Sequence, residues 1–522
     1  MVLRNVYRLL GFLVSLVAFC TVVSCTEGVP SAYENAKDSL SIYPDYKNVV
    51  IPKNISPLNF VVGNKGDKYV ASIQVNGVEK LIVSSSNEEI RFPLKKWHEL
   101  LEENSDCRLS VNVFVKDKGK WYGYPAFDVR VVPDSMDSYI TYRLIEPSYV
   151  CSGALALYQY HVENAEVECF VGSHKFRSRP ELGTSRCMNC HTSQRNHPEN
   201  YTFQQRGPGG GMVMSYKGEK RIVVSKVGDM KAGAVYERWH PTLPFIVFSN
   251  NSVAQLFPTK GSAKIEVFDY RSDILLYDIE KNEIQYLVKS PIQTTSYPDW
   301  SPDGKYIYYV STAAESRVEL QNILNKNFNL MRMPFNSDMV GVGESELLFD
   351  AVSLNKSISK PRVSPDGRYV AMTISEYGGY HYTHKDADVV LFDLKDSVLK
   401  EVPIINSPES DGYVTWSSNG RWLMLGSRRE DGNYVRLYFS YFDKDGKAYK
   451  PFQMPHENPL YDRILLKCYN YPEFGKIAVD LKRDDVYNLM DDPAVHVTPN
   501  FKGKIDNDST VDVVTGASLV SY

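Results

Sequence analysis

From residue 58 onward, apolar and polar side chains alternate with a period of two, the spacing of strands that bury one face. The first runs are 58–62, 69–75 and 78–83. Asn76-Gly77 joins the last two, and both turn positions must accept positive φ, which marks a tight hairpin. A second hairpin is expected at Asp117-Lys118-Gly119, between residues 109–115 and the strand through Trp121. One helical interval interrupts, with Leu94, Trp97, Leu100 and Leu101 on one face. Residues 55–133 therefore read as a small, mostly antiparallel, sandwich-like β domain without a catalytic constellation.

Beyond Met212 the pattern recurs in longer units. Tyr297-Pro298-Asp299-Trp300-Ser301-Pro302-Asp303-Gly304 is echoed by Pro361-Arg362-Val363-Ser364-Pro365-Asp366-Gly367 and by Val414-Thr415-Trp416-Ser417-Ser418-Asn419-Gly420. A degenerate copy starts at Arg238-Trp239-His240-Pro241. In each, proline presets φ, Asp or Asn caps, and glycine takes the left-handed position between two short strands. Third strands such as 273–278 and 388–393 follow. Four strands per unit at this period predict propeller blades, five or six of them, spanning residues 212–522.

The segment between these bodies, 134–211, has weak periodicity and carries Cys187-Met188-Asn189-Cys190-His191. Two thiols at this spacing with the next residue a histidine are the pattern of covalent haem c attachment, Cys187 and Cys190 holding the vinyl carbons and His191 the iron. The loop-like flanks argue against a thioredoxin-type dithiol. A zinc site would need a fourth ligand from His174, Cys169 or His197. On the distal side of a haem, Met212, Met214 and His197 are the candidates, with His161 and His174 behind them. Met188, Tyr201, Phe203, Met212, Val213 and Met214 would wall the ring, and Gly209, Gly210 and Gly211 would let backbone approach it. Lys175, Arg177, Arg179, Arg186, Arg195 and Arg206 outnumber Glu181 and Glu199 here. They suit either a rim that attracts an acidic redox partner or counter-charges for the propionates.

The amino terminus has two positive charges and then an apolar run over residues 9–23. This run is shorter than a bilayer span and reads as a signal peptide, residues 1–24, with Cys25 placed for lipidation. Residues 25–54 read as a tether. The expected address is the cell envelope, anchored by lipid, with the outer membrane favoured by Thr26-Glu27 after Cys25. An oxidising compartment would allow disulfides among Cys107, Cys151, Cys169 and Cys468, the pair Cys151 and Cys169 being the first to test. A net charge of −4 over 522 residues gives no reason to expect nucleic acid as a partner. No Ser-His-Asp arrangement or phosphate loop is visible, which points to a binding or electron-transfer protein more than an enzyme. His381 and His384 read as residues of a solvated blade loop, with a metal as the other reading.

The Ser-Pro-Asp-Gly copies resemble those of the TolB-type, WD-repeat-like β-propeller family. The order of lipoprotein signal, β domain, Cys-Met-Asn-Cys-His-Thr segment and blades is similar to exported propeller proteins of anaerobic Gram-negative bacteria that are often described as cytochrome c biogenesis proteins. The resemblance implies docking of a protein partner on the propeller face, with a redox partner as one reading. It also places Gln204 where relatives carry a histidine near the haem. The whole reads as a mainly β chain with a sandwich-like domain, a haem-binding loop segment and a propeller. The alternative is a scaffold or a glycan- or protein-binding propeller in which a haem is only structural.

Overall fold

The computed structural model describes residues 28–147, 155–172, 187–206, 210–257, 265–314, 326–492, 495–502 and 518–521. The signal, Cys25, Cys151, His174, Lys175, Arg177, Arg179, Glu181, Arg186 and Gly209 lie outside them.

Six sheets of four antiparallel strands follow one another. Their innermost strands are Met188–Gln194, Val235–Trp239, Gln293–Trp300, Ser357–Val363, Asp411–Trp416 and Cys468–Gly475. Each of these packs beside the next, and the last returns to the first, so the ring is closed: a six-bladed β-propeller. We number the blades one to six in that order. Closure is shared between the two halves of the chain. The inner strand of blade six comes from the carboxyl-terminal part, while its outer strands Tyr139–Ile145, Ala156–His161 and Val167–Gly172 come from far upstream. Pairing residues some 330 positions apart locks the ring against opening.

The boundaries expected from the sequence change accordingly. The segment 134–211 is no loop between domains, because its described residues build the outer strands of blade six and half of blade one. Its strands escape a periodicity search because both faces of a blade are covered by neighbours, which erases the alternation. The tether is also partly structured: Val49–Pro52 pairs in parallel with Phe127–Val132, and Ile42–Tyr43 pairs antiparallel with Phe60–Val62. At the other end, His496–Val497 and Asn500–Lys502 add parallel fifth strands to the outer edges of blades one and two.

The repeated turn works as its residues require. Ser301 Oγ donates to Asp303 Oδ1 (2.6 Å) and accepts the Tyr306 N–H (2.9 Å), and Ser364 and Ser417 repeat the arrangement. Gly304, Gly367 and Gly420 hold φ of 72°, 72° and 67°. At Gly304 even a methyl group would collide with the His240 ring of the preceding blade. Trp300 and Trp416 each send Nε1–H to a carbonyl one blade back, Arg238 O and Arg362 O, at 3.1 Å. The turn residues therefore bond blade to blade as well as strand to strand.

The amino-terminal domain has the expected hairpins, with Asn76, Gly77, Lys118 and Gly119 all at positive φ. Its helix Leu94–Glu103 buries Trp97, Leu100 and Leu101 and leaves Leu94 exposed. The core of this domain runs without a break into Trp422, Phe439 and Phe452 of blade five. Asp134 and Asn59 bond across the same junction. Among the described residues no helix is long and apolar enough to cross a membrane.

Candidate functional site: an axial funnel and its floor

Every inner strand carries one extra residue, a bulge that shifts the register against its partner strand. Within each bulge stands a non-glycine residue at positive φ: Cys190 (35°), Tyr236 (58°), Tyr297 (55°), Lys360 (51°), Tyr413 (51°) and Tyr471 (46°). Side chains this large seldom hold such a conformation, and strain of this kind gathers where a structure presents groups to a ligand. Here it recurs six times round one axis. The repeat, once aligned on the turn, shows the pattern directly, since Tyr236, Tyr297, Lys360 and Tyr413 all lie three residues before the Trp or Val of their copies.

Two positions further along the same strands stand Thr192, Arg238, Asp299, Arg362, Thr415 and Glu473. These six line an axial cavity of about 380 Å³, together with Trp239, Trp300, Trp416, Arg195 and Lys476. Arg238 spans three blades: Nη1 donates to Thr192 Oγ1 (3.0 Å) and Glu473 Oε1 (2.6 Å), and Nε lies 3.7 Å from Asp299 Oδ1. Burial pushes the Asp299 carboxyl up to about 6, against the pull of Arg238. Both carboxylates of the funnel are thus engaged by one arginine. Arg362 donates only to the Pro361 carbonyl, and Arg195 and Lys476 have no ion-pair partner among the described residues. Four cations face two carboxylates, so the funnel is basic, and three of the four have no ion pair among the described residues.

The bulge ring forms the floor. Lys360 is 5% exposed, and its ammonium lies 5.0 to 5.9 Å from the ring centres of Tyr297, Tyr380, Tyr413 and Tyr471. Among the described residues its one hydrogen bond is a long one, 3.4 Å, to Gly379 O. Burial draws the amine down to about 8, with Asp269 and Cys190 acting the other way. Asp269 itself accepts from Tyr297 Oη at 2.8 Å.

Cys187, Cys190 and His191 are near in sequence but face different neighbours. Cys190 stands in the floor ring beside Tyr236 and Glu237 of blade two, where burial and the Glu237 carboxylate push its thiol up to about 12. His191 pairs with Phe203 and faces blade six, beside Tyr201, Thr141 and Glu473. It is 3% exposed, both ring nitrogens lack a hydrogen bond within normal geometry, and burial lowers it to about 4. A porphyrin held by both cysteines would need that imidazole on its own side, yet a sheet packed on both faces separates the second thiol from the ring. The three residues do not fit one haem in this fold.

The other expected ligands do not converge either. Met212 and Met214 are fully buried against Trp239 and Phe248 on the blade-two side. Met188, Tyr201, Phe203 and Val213 pack toward blade six, so the expected wall is divided between two interfaces. His197 is half exposed near Glu199, and His161 lies over Tyr139. Gln204 donates to the Glu237 carboxylate, whose burial raises it to about 7. Gly211 permits close approach, but to the Val223 carbonyl of its own blade. Among the described residues no three His, Cys, Asp or Glu groups are set to hold a metal. Cys107, Cys187, Cys190 and Cys468 carry free thiols.

His381 and His384 are buried rather than solvated, at 1% and 6% exposure. His384 Nδ1 lies 3.0 Å from Ser375 Oγ and its Nε2 lies 2.9 Å from Glu266 Oε2, a hydroxyl, imidazole and carboxylate in line that the sequence did not suggest. Ser375 is 1% exposed and is also 3.0 Å from Asp386 Oδ2, which also accepts the Glu376 N–H. With Ser375 buried, the line clamps the blade-four loop.

The class of protein is thus a six-bladed propeller with an axial site. No family model matches the chain, and no curated protein matches it. Among solved structures it is similar to TolB from Acinetobacter baumannii, with 11% identity over 73% of this chain and 85% of that one, TM-score 0.42. A hypothetical selenium-binding protein from Sulfolobus tokodaii is 10% identical over 81% of this chain and 96% of that one, TM-score 0.39. Likeness at this level says nothing about activity, and the propeller rests on the closed ring of strands.

Proposed function

We propose that this chain is a binding propeller of the cell envelope, held by a lipid on Cys25, whose basic axial funnel takes up an acidic segment of a partner protein. The observation that carries this reading is the set of three cations, Arg195, Arg362 and Lys476, that line a half-open cavity with no ion-pair partner among the described residues, while Arg238 engages the two carboxylates there. Unmatched charges of one sign in a concave, partly desolvated site attract the opposite sign more strongly than the same charges on an open surface. The tryptophans and prolines around them supply apolar wall for the backbone and side-chain stems of an extended peptide. Cys187, Cys190 and His191 give a haem no common housing in this fold.

The test uses the full-length protein purified in detergent and a dye-labelled hexaglutamate followed by fluorescence anisotropy. Binding that weakens with salt, and that falls about tenfold or more in Arg362→Glu, is expected. No binding, or binding indifferent to Arg362→Glu and Lys476→Glu, would overturn the reading. Uptake of polygalacturonate in preference to the peptide would assign the funnel to an anionic glycan instead, and so also reject it.

A further inference from the structure

The floor of the funnel holds a second feature that the mouth does not explain. Five of the six ring positions are tyrosine or cysteine, groups that burial keeps neutral, and the sixth is Lys360. A buried ammonium has three N–H donors and a desolvation cost that is normally met by a carboxylate. Among the described residues Lys360 has one long bond to a carbonyl and no carboxylate within ion-pair distance, only the faces of four tyrosines. Asp269, the acidic group that acts on it, is engaged by Tyr297.

Along its strand this ammonium sits below the lining of the cavity. Arg362 lines the cavity, and Lys360 lies two residues deeper on the same strand, as Tyr297 lies below Asp299 and Tyr413 below Thr415. The ring narrows the channel with large side chains, of which Tyr297 is 1% and Tyr413 6% exposed. A polymer cannot thread such a floor, so it enters by its end. The end of a peptide that carries charge opposite to Lys360 is its carboxyl terminus.

We propose that Lys360 is the anchor for the terminal carboxylate of the acidic peptide that the funnel admits. The carboxylate would take the free donors of the ammonium, and the tyrosines would enclose the last side chain. This rests on the funnel's being a peptide site, and it adds direction to it: the partner inserts its carboxyl end.

The experiment compares two probes, hexaglutamate with a free carboxyl terminus and the same peptide ending in an amide, on the full-length protein in detergent. The free acid is expected to bind about tenfold or more tighter than the amide, because a charge-assisted hydrogen bond in a desolvated site is worth at least that factor. In Lys360→Met the two probes should become equal while the salt dependence from the mouth persists, and Lys360→Arg should keep the preference. A structural strut would change overall affinity without changing that ratio. Equal binding of acid and amide by the unaltered protein overturns the anchor and leaves the acidic-peptide reading standing. Failure of both probes to bind overturns both.

Discussion

Two β assemblies lie side by side in this chain and fill their centres in opposite ways. The amino-terminal domain closes on Trp97, Leu101, Leu109, Val111, Phe127 and Val129, a dry interior of hydrocarbon. The propeller axis is walled by tyrosines, a thiol, an ammonium and an arginine bridging two carboxylates, with Asp269 Oδ1, Asn251 Oδ1, Glu237 Oε2 and Ser359 Oγ buried nearby without a hydrogen-bond partner among the described residues. The difference follows from topology. Two packed layers approach until side chains interlock, whereas six blades meet face to face and leave their inner edges around an axis that no side chain can fill completely. What stabilises the ring is the apolar packing between blades, so the axis is free to carry polar groups, and function falls there.

The contrast is sharpest in stability. Trp97 is 2% exposed, stacks on Phe92 and donates to Ile55 O at 3.0 Å. Trp97→Ala is expected to cost about 3–5 kcal/mol, read as a lower denaturant midpoint. A loss under about 1 kcal/mol would mean that this domain draws its stability from the propeller alone.

His191 tests the interface between blades one and six. Its folded value of about 4 lies below the ordinary histidine value, so protonation favours the unfolded chain. The stability it leaves intact above pH 6.5 is lost as pH falls toward 4, by up to about 3 kcal/mol over that window. His191→Phe should flatten that part of the stability profile. A histidine bound to iron would not titrate this way, and the mass of the exported protein should show lipid but nothing on Cys187 and Cys190.

Lys360→Met is expected to act with the opposite sign to Trp97→Ala and to raise stability by about 1–3 kcal/mol, since it removes an uncompensated buried charge. The gain should shrink as pH rises from about 8 toward the ordinary lysine value, where the wild-type amine becomes neutral. The groups that face it, Asp269, Cys190, His381 and the four tyrosines, are unchanged in the comparison. A loss of stability would make the lysine a strut of the ring.

Much of the fold was legible because it is written in local chemistry. The Asn76-Gly77 hairpin, the helix through Trp97 and the Ser-Pro-Asp-Gly turns each depend on backbone conformations that a few neighbouring residues impose. The site was legible only in part. Arg195 was singled out for its charge and lies in the funnel, but Arg362, Lys476 and Lys360 carry no local signature beyond their place in the repeat. Blade one was hidden beneath a cysteine and histidine motif whose spacing suits a haem.

What the sequence determined by itself was the unit: strands that alternate or run apolar, turns that reverse them, and a period that demands blades. Only the tertiary structure decided how many blades close the ring, that upstream strands complete the last one, and which face of each strand a residue presents. Those outcomes depend on packing between residues hundreds of positions apart. One bulged residue per inner strand sends Cys190 to the axis and His191 to the blade behind it, and spacing along the chain contains no record of that choice.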